Sequence, residues 1–154
     1  MPPLAGPAAA GRVLVTVGYE GRSAPELVAA LAEAGVTVLA DVRLTPSSRK
    51  PGLSRRALAA ALAAAGIEYL HLPALGNPRD NREPFRRGDP GSRARFQELL
   101  AAPPARAALA ELESRIPGER VALLCFERDA DRCHRQLVSE QLLGRDSGLA
   151  VRHL

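Results

Sequence analysis

Five short apolar runs punctuate the chain, and between them apolar residues recur at helical spacing. Arg12 to Val17 (RVLVTV) ends at Gly18 and predicts a first strand, apolar on both faces. Ser23, with Glu26 three residues later, has the pattern of a capping box. The helix it opens carries Leu27, Ala30, Leu31 and Ala34 on its inner face and stops at Gly35. Val36 to Ala40 (VTVLA) predicts a second strand that ends at Asp41. Beyond the loop VRLTPSSRKPGLS, Ser54 caps a helix that runs to Ala65 and stops at Gly66. Ile67 to Leu72 predicts the third strand, with Tyr69 in the core on one side of it, and Pro73 to Gly91 reads as a long functional or mobile loop. Ser92 to Arg115 is helical in pattern, interrupted at Pro103 and Pro104. Arg120 to Phe126 predicts the fourth strand, Asp131 caps a helix from Arg132 to Leu143, and Leu149 to His153 predicts a last short strand.

Strands that alternate with helices imply a parallel sheet joined by right-handed crossovers. The expected architecture is therefore α/β: a single Rossmann-like three-layer domain over residues 12–154, with a mostly parallel sheet of about five strands. Residues 1–11 read as a flexible N-terminal tail, without the positive stretch that opens a signal peptide.

Composition changes this picture only at the margins. The 154 residues are enough for one self-sufficient core, and with aromatics at only 3% that core falls to Ala, Leu and Val. No apolar run is long enough to span a membrane. Two cysteines make no disulfide framework, which places the chain by default in a reducing cytoplasm. The net charge is +4, and Lys50 is the only lysine; every other basic residue is arginine. Arginine's planar fork suits phosphate and carboxylate, although biased codon usage accounts for the excess equally well.

In an open parallel sheet, ligands bind beyond the carboxyl ends of the strands. Three polar segments fall there. The first, GYEGR, offers Gly18, Tyr19 and Glu20, with a helix start behind them; it is neither a P-loop nor a dinucleotide fingerprint, and an ordinary strand-to-helix turn explains it too. The second, DVRLTPSSRKPGLS, offers Asp41, Arg43, Ser47, Ser48, Arg49 and Lys50, a combination of charge and hydroxyl donors that suits phosphate. An internal pair of Asp41 with Arg43 beneath a solvated loop is the competing reading. The third, CFERDADRCHR, is the most specific. Cys133 and His134 are expected in the first turn of a helix, whose dipole favours a thiolate on Cys133, with Cys125 close by at a strand end. Glu127 is a candidate nucleophile or general base. The C-x7-C spacing matches no common zinc signature, so no metal ligand is assigned, and Cys125 as a small buried hydrophobe stays open. His71 and His153 are expected as hydrogen-bonded residues at the sheet rim.

Taken in order, VGYEGR, LADVRLTPSSRKPGLS, GIEYLHLPALGN, LLCFERDADRCHR and VRHL resemble the DUF488 family, small bacterial and archaeal proteins named as a domain of unknown function. The resemblance runs from about Val13 to Leu154. It implies a Rossmann-like α/β domain and marks Gly18, Tyr19, Asp41, Arg43, Pro46, Ser48, Arg49, Leu75, Gly76, Cys125, Glu127, Cys133, His134 and Arg135 as motif positions. It supplies no reaction. Phe126 stands where the family commonly has a small residue, which is expected to narrow the space between Cys125 and Glu127.

Three functions remain open on these residues. The first is an enzyme acting on a nucleotide or nucleic acid. Glu127, Asp41, Cys133 and His134 would be its catalytic groups, and Gly18, Tyr19, Glu20, Arg43, Ser48, Arg49, Gly76 and Arg135 would bind substrate. The second is a non-catalytic nucleic-acid or nucleotide-binding module. The third is a thiol redox or metal-binding protein using Cys125, Cys133, His134 and Glu127. No cofactor is assigned, and the expected partner is a phosphate-bearing small molecule or nucleic acid rather than a membrane.

Overall fold

The computed structural model describes residues 12–154; the expected N-terminal tail at 1–11 lies outside the described residues. Five strands form one sheet: β1 (Arg12–Gly18), β2 (Val38–Asp41), β3 (Glu68–His71), β4 (Val121–Cys125) and β5 (Leu149–His153). Their order is β3-β2-β4-β1-β5, and every pairing is parallel. Six helices flank it: α1 (Ala24–Glu33), α2 (Arg55–Ala64), α3 (Arg82–Arg86), α4 (Pro90–Ala101), α5 (Pro103–Arg115) and α6 (Arg135–Arg145).

Alternation along each strand divides the core in two. Val15, Val17, Leu39, Ala122 and Leu124 face Leu27, Leu31, Leu58 and Leu62 of α1 and α2. Leu14, Val38, Ala40, Val121 and Leu123 face Phe96, Leu100, Leu109, Leu112, Leu137 and Val138 of α4, α5 and α6. The result is the expected three-layer α/β domain with an open parallel sheet. No described helix is long and apolar enough to cross a membrane.

Local chemistry sets the helix ends. Ser23 Oγ accepts from Glu26 N while Glu26 Oε1 accepts from Ser23 N, completing the capping box of α1. Pro103 ends α4 by forcing Ala102 into extended backbone, at φ −71° and ψ 151°.

Three expectations need correction. Ser54 sits at the N-cap of α2, but its hydroxyl makes no cap bond: it accepts from Ser48 N and donates to Ser48 O, closing the 48–54 loop on itself. The segment 73–91 is not a structureless loop. It holds two 3-10 turns, Pro73–Leu75 and Arg79–Asn81, then α3, and Phe85 is buried in the core. The helix expected from Arg132 under an Asp131 cap is instead a 3-10 turn, Ala130–Arg132, capped by Asp129 Oδ1; α6 begins only at Arg135. Cys133 and His134 therefore precede that helix rather than lying in its first turn.

The loop after β4 leads to α6 on one face, while the loops after its neighbours β1 and β2 lead to α1 and α2 on the other. Connections that diverge in this way open a crevice at the carboxyl ends of the strands.

Candidate functional site

That crevice holds a pocket of about 150 Å³. Tyr19 reaches it from the end of β1, and Arg43, Leu44, Thr45 and Ser47 from the loop after β2. Asn77, Arg82 and Arg86 come from the segment after β3, and Cys125, Phe126, Glu127, Arg132 and His134 from the end of β4 and its loop.

At the floor, Asp41 is wholly buried and holds Arg43 from several sides. Its Oδ1 accepts from Arg43 N at 3.1 Å and Nε at 2.8 Å, and its Oδ2 accepts from Arg43 Nη2 at 2.7 Å and from the Tyr69 hydroxyl. Arg43 Nη1 donates to Leu53 O, and its guanidinium lies 5.3 Å from the centre of the Tyr19 ring. Burial opposes the Arg43 charge, but the bonds and field of Asp41 overcome it and raise the pKa. Burial and the donated bond to Asp41 likewise push the Tyr69 phenol up.

Against this floor stands a cluster of Cys125, Glu127, Cys133 and His134. Cys125 Sγ lies 3.4 Å from Glu127 Oε2 and 3.5 Å from His134 Nδ1; Cys133 Sγ lies 3.7 Å from that same nitrogen. His134 Nε2 is 2.8 Å from Val42 O, an acceptor, so Nε2 carries the proton and donates, leaving Nδ1 turned to the sulfurs. The Phe96 ring meets the imidazole edge-on at 5.2 Å. Burial, Cys133 and Glu127 push the Cys125 thiol up. Burial opposes ionisation of Cys133 too, but the bond from Cys125 and the charges of His134 and Arg135 win, holding Cys133 well below the usual thiol range. Burial disfavours the imidazolium; the charge and hydrogen bond of Cys133 and the Val42 carbonyl outweigh it and raise His134. Donor atoms of Cys125, Cys133 and His134 all lie within 4.8 Å of one another, and these three residues could hold a metal ion.

Glu127 Oε1 accepts from Arg86 Nε at 2.9 Å. That bond, against some burial, raises the pKa of Arg86. Arg135, fully buried, never reaches the pocket wall: it donates to Thr16 Oγ1, Glu127 O and Arg128 O, and so fixes the backbone that carries Glu127.

Of the residues expected at the site, Tyr19, Arg43, Glu127 and His134 line the pocket. Cys133 lies behind Cys125, and Asp41 lies beneath Arg43. Gly18 serves a close approach of the protein to itself, since a Cβ there would stand 1.8 Å from Glu127 O. Gly76 does the same against Leu44 Cα, at 2.5 Å. Glu20 accepts from Arg128 N, Ser48 Oγ accepts from Lys50 N, and the exposed Arg49 does not line the pocket. Lys50 Nζ is spent on the carbonyls of Tyr19 and Arg22. At the rim, His71 Nε2 bonds Arg43 O and His153 Nδ1 bonds Thr16 Oγ1. Phe126 does not come between Cys125 and Glu127, whose Sγ and Oε2 lie 3.4 Å apart. Its ring instead packs edge-on against Tyr19, 5.2 Å away.

Sequence reasoning missed Asn77, Arg82, Arg86 and Arg132 as lining residues. The usable signal was the spacing of Arg82 and Arg86: on a helix, positions four apart share a face.

The fold and site define a three-layer α/β protein with a polar pocket at the crevice of its sheet. The family described as Domain of unknown function DUF488 matches residues 23–142, and the chain belongs to it. No curated protein and no solved structure matches the chain.

Proposed function

We propose that the protein is an enzyme acting on a phosphate-bearing small molecule of the nucleotide class, with Glu127 moving the proton. One observation carries this reading: four arginines, Arg43, Arg82, Arg86 and Arg132, line a pocket whose only acidic residue is Glu127. Arg43 and Arg86 are occupied by Asp41 and Glu127. Arg82 donates to Asn77 O and has no carboxylate at ion-pair distance among the described residues, while Arg132 has only a loose contact of 3.9 Å with Asp129. Two largely uncommitted guanidinium groups beside a fixed third suit the oxygens of a phosphate group.

Glu127 is fit for proton transfer because its orientation is over-determined. Arg135 holds its carbonyl, Arg86 holds one carboxylate oxygen, and the other oxygen stays at the pocket beside Cys125. In this reading Glu127 accepts the proton of a water or hydroxyl that attacks phosphorus, the P–O bond to the leaving group breaks, and the departing oxygen takes a proton from solvent. Asp41 acts only through Arg43, as a positioning residue. The pocket takes the phosphate end of a ligand, not a duplex.

The test is a panel of nucleotides and phosphoesters followed by phosphorus NMR. Wild-type protein is expected to convert at least one member. Glu127→Gln is expected to slow that conversion by about 10²–10⁴-fold while binding is kept, the usual contribution of a positioned acid–base group. Conversion that is unaffected by Glu127→Gln, or a wild-type protein that binds but converts nothing, would overturn the assignment.

A further inference from the structure

We propose that Cys125, Cys133 and His134 form a binding site for a zinc-class divalent ion, open to the pocket at Glu127. Sequence spacing hides this site, since seven residues separate the cysteines and adjacent residues rarely ligate together. The fold brings the three together by other means. Cys125 ends β4, and the 3-10 turn Ala130–Arg132 swings the chain back so that Cys133 and His134 return beside it.

The two sulfur–nitrogen distances are those of a coordination shell, and the two sulfurs lie within 4.8 Å of one another. A tetrahedral zinc with bonds of about 2.3 Å to sulfur and about 2.0–2.1 Å to nitrogen sets its sulfur–nitrogen edges at about 3.5–3.6 Å. The two sulfur–nitrogen separations here are 3.5 and 3.7 Å. Both sulfurs converge on one nitrogen, Nδ1 of His134, while Cys125 Sγ also reaches Glu127 Oε2.

The surroundings match as well. The other imidazole nitrogen donates to the Val42 carbonyl, the outer-shell bond that fixes a ligating histidine with Nδ1 free. Two thiolates and an imidazole form a soft set suited to zinc rather than to magnesium or calcium. The fully buried Arg135, whose hydrogen bonds all go to uncharged oxygens, supplies positive charge beside a site that would otherwise concentrate two thiolates. On binding, the protons that the two sulfurs and Nδ1 of His134 still carry between them pass to solvent, and nothing is oxidised or reduced. Cys125 and His134 line the pocket and Cys133 does not, so the fourth position of the ion faces the pocket, for a water on the side of Glu127. A water held there would be acidified by the ion and would stand next to the proposed base. The site itself does not depend on what the pocket binds.

The experiment is cobalt(II) titration of reduced, tag-free, metal-stripped wild-type protein, followed by zinc competition, with bound metal counted by elemental analysis. The chain has only two cysteines, so any thiolate-to-cobalt charge-transfer band reports on this site. One cobalt per chain, with that band and intense visible bands of tetrahedral cobalt, both erased by zinc, is the expected result. Cys125→Ser and Cys133→Ser, each checked for a cooperative melt, should weaken binding by more than the roughly 10–100-fold typical of losing an outer-shell partner. A folded, reduced wild-type protein that shows no thiolate band overturns the proposal, whether or not its thiols then oxidise to a disulfide. Phosphate affinity is read in a separate titration, so failure of the metal site and failure of the phosphate reading are distinguishable.

Discussion

Asp41 and Arg43 show how single residues set this site. Both are buried, and each satisfies the other through bonds that no water could replace. Removing one partner of such a pair strands a charge, which costs about 3–5 kcal/mol. Asp41→Asn is therefore expected to lower stability by that amount in a denaturant melt, and to loosen Arg43 beneath Tyr19. Of the two readings the sequence left open for this pair, the internal one describes the contacts. His153 makes a second prediction at this scale. Arg135 Nε donates to Thr16 Oγ1, whose hydroxyl proton remains available to a neutral His153 Nδ1 beside it. Burial and the nearby Arg135 charge lower the His153 pKa against a smaller opposing pull from Asp131. A histidine lowered on folding contributes its full stability above its unfolded pKa of about 6.5 and loses it as pH falls below that value. His134 is shifted the opposite way, so the comparison must be between variants. The thermal midpoint of wild-type protein should fall more between about pH 7 and about pH 5 than that of His153→Gln; identical slopes would contradict this placement.

At the scale of elements, the strands and long helices were legible because their signals are local. A capping box, a run of β-branched residues and a proline that ends a helix depend on a few neighbours, and α1, β1 and the α4–α5 break follow from them. The segments that carry the site were less legible. Residues 79–86 look like a loop in composition, yet they form helical turns because Phe85 is drawn into the core and Asn81 bonds Asn77 and Ser92. The start of α6 was misplaced because Asp129 and Asp131 both look like caps, and only the three-dimensional turn decides between them. The meeting of Cys125, Cys133 and His134 was legible as a neighbourhood, since they flank one strand end, but not the turn Ala130–Arg132 that brings it about. Gly18 ties these levels together: the β1–β4 pairing runs on past the strands through Tyr19 N to Cys125 O and Glu20 N to Phe126 O, so the carbonyl of Glu127 crosses directly over it. Gly18→Ala should cost about 1–3 kcal/mol by overpacking, and should weaken pocket ligands by displacing Glu127, both measurable in one thermal-shift series with and without ligand.

For the whole molecule, the expectation of an α/β fold with a parallel sheet agrees with the structure because alternation of strand and helix constrains topology strongly. The strand order β3-β2-β4-β1-β5 was not legible, since nothing local to β4 says that it inserts between β2 and β1. That insertion makes the crevice. It collects side chains from four stretches of chain far apart in sequence, three of which the sequence already placed at this edge; the fourth, with Asn77, Arg82 and Arg86, was not legible there. The excess of arginine also resolves at this scale. Many of these residues are paired, as Arg87 with Glu83, Arg95 with Asp80 and Arg115 with Glu68, and the pocket keeps two that are not tightly held.

The most direct test of the central claim is calorimetric titration of tag-free protein with pyrophosphate and a nucleoside diphosphate, comparing wild type with the Arg82→Ala, Arg132→Ala double variant. Wild type is expected to bind with one site per chain, and the double variant to bind at least about tenfold more weakly while melting cooperatively, as loss of charge-assisted bonds to phosphate requires. Equal affinity in the two proteins, or no binding by a folded wild type, would contradict a phosphate site in this pocket.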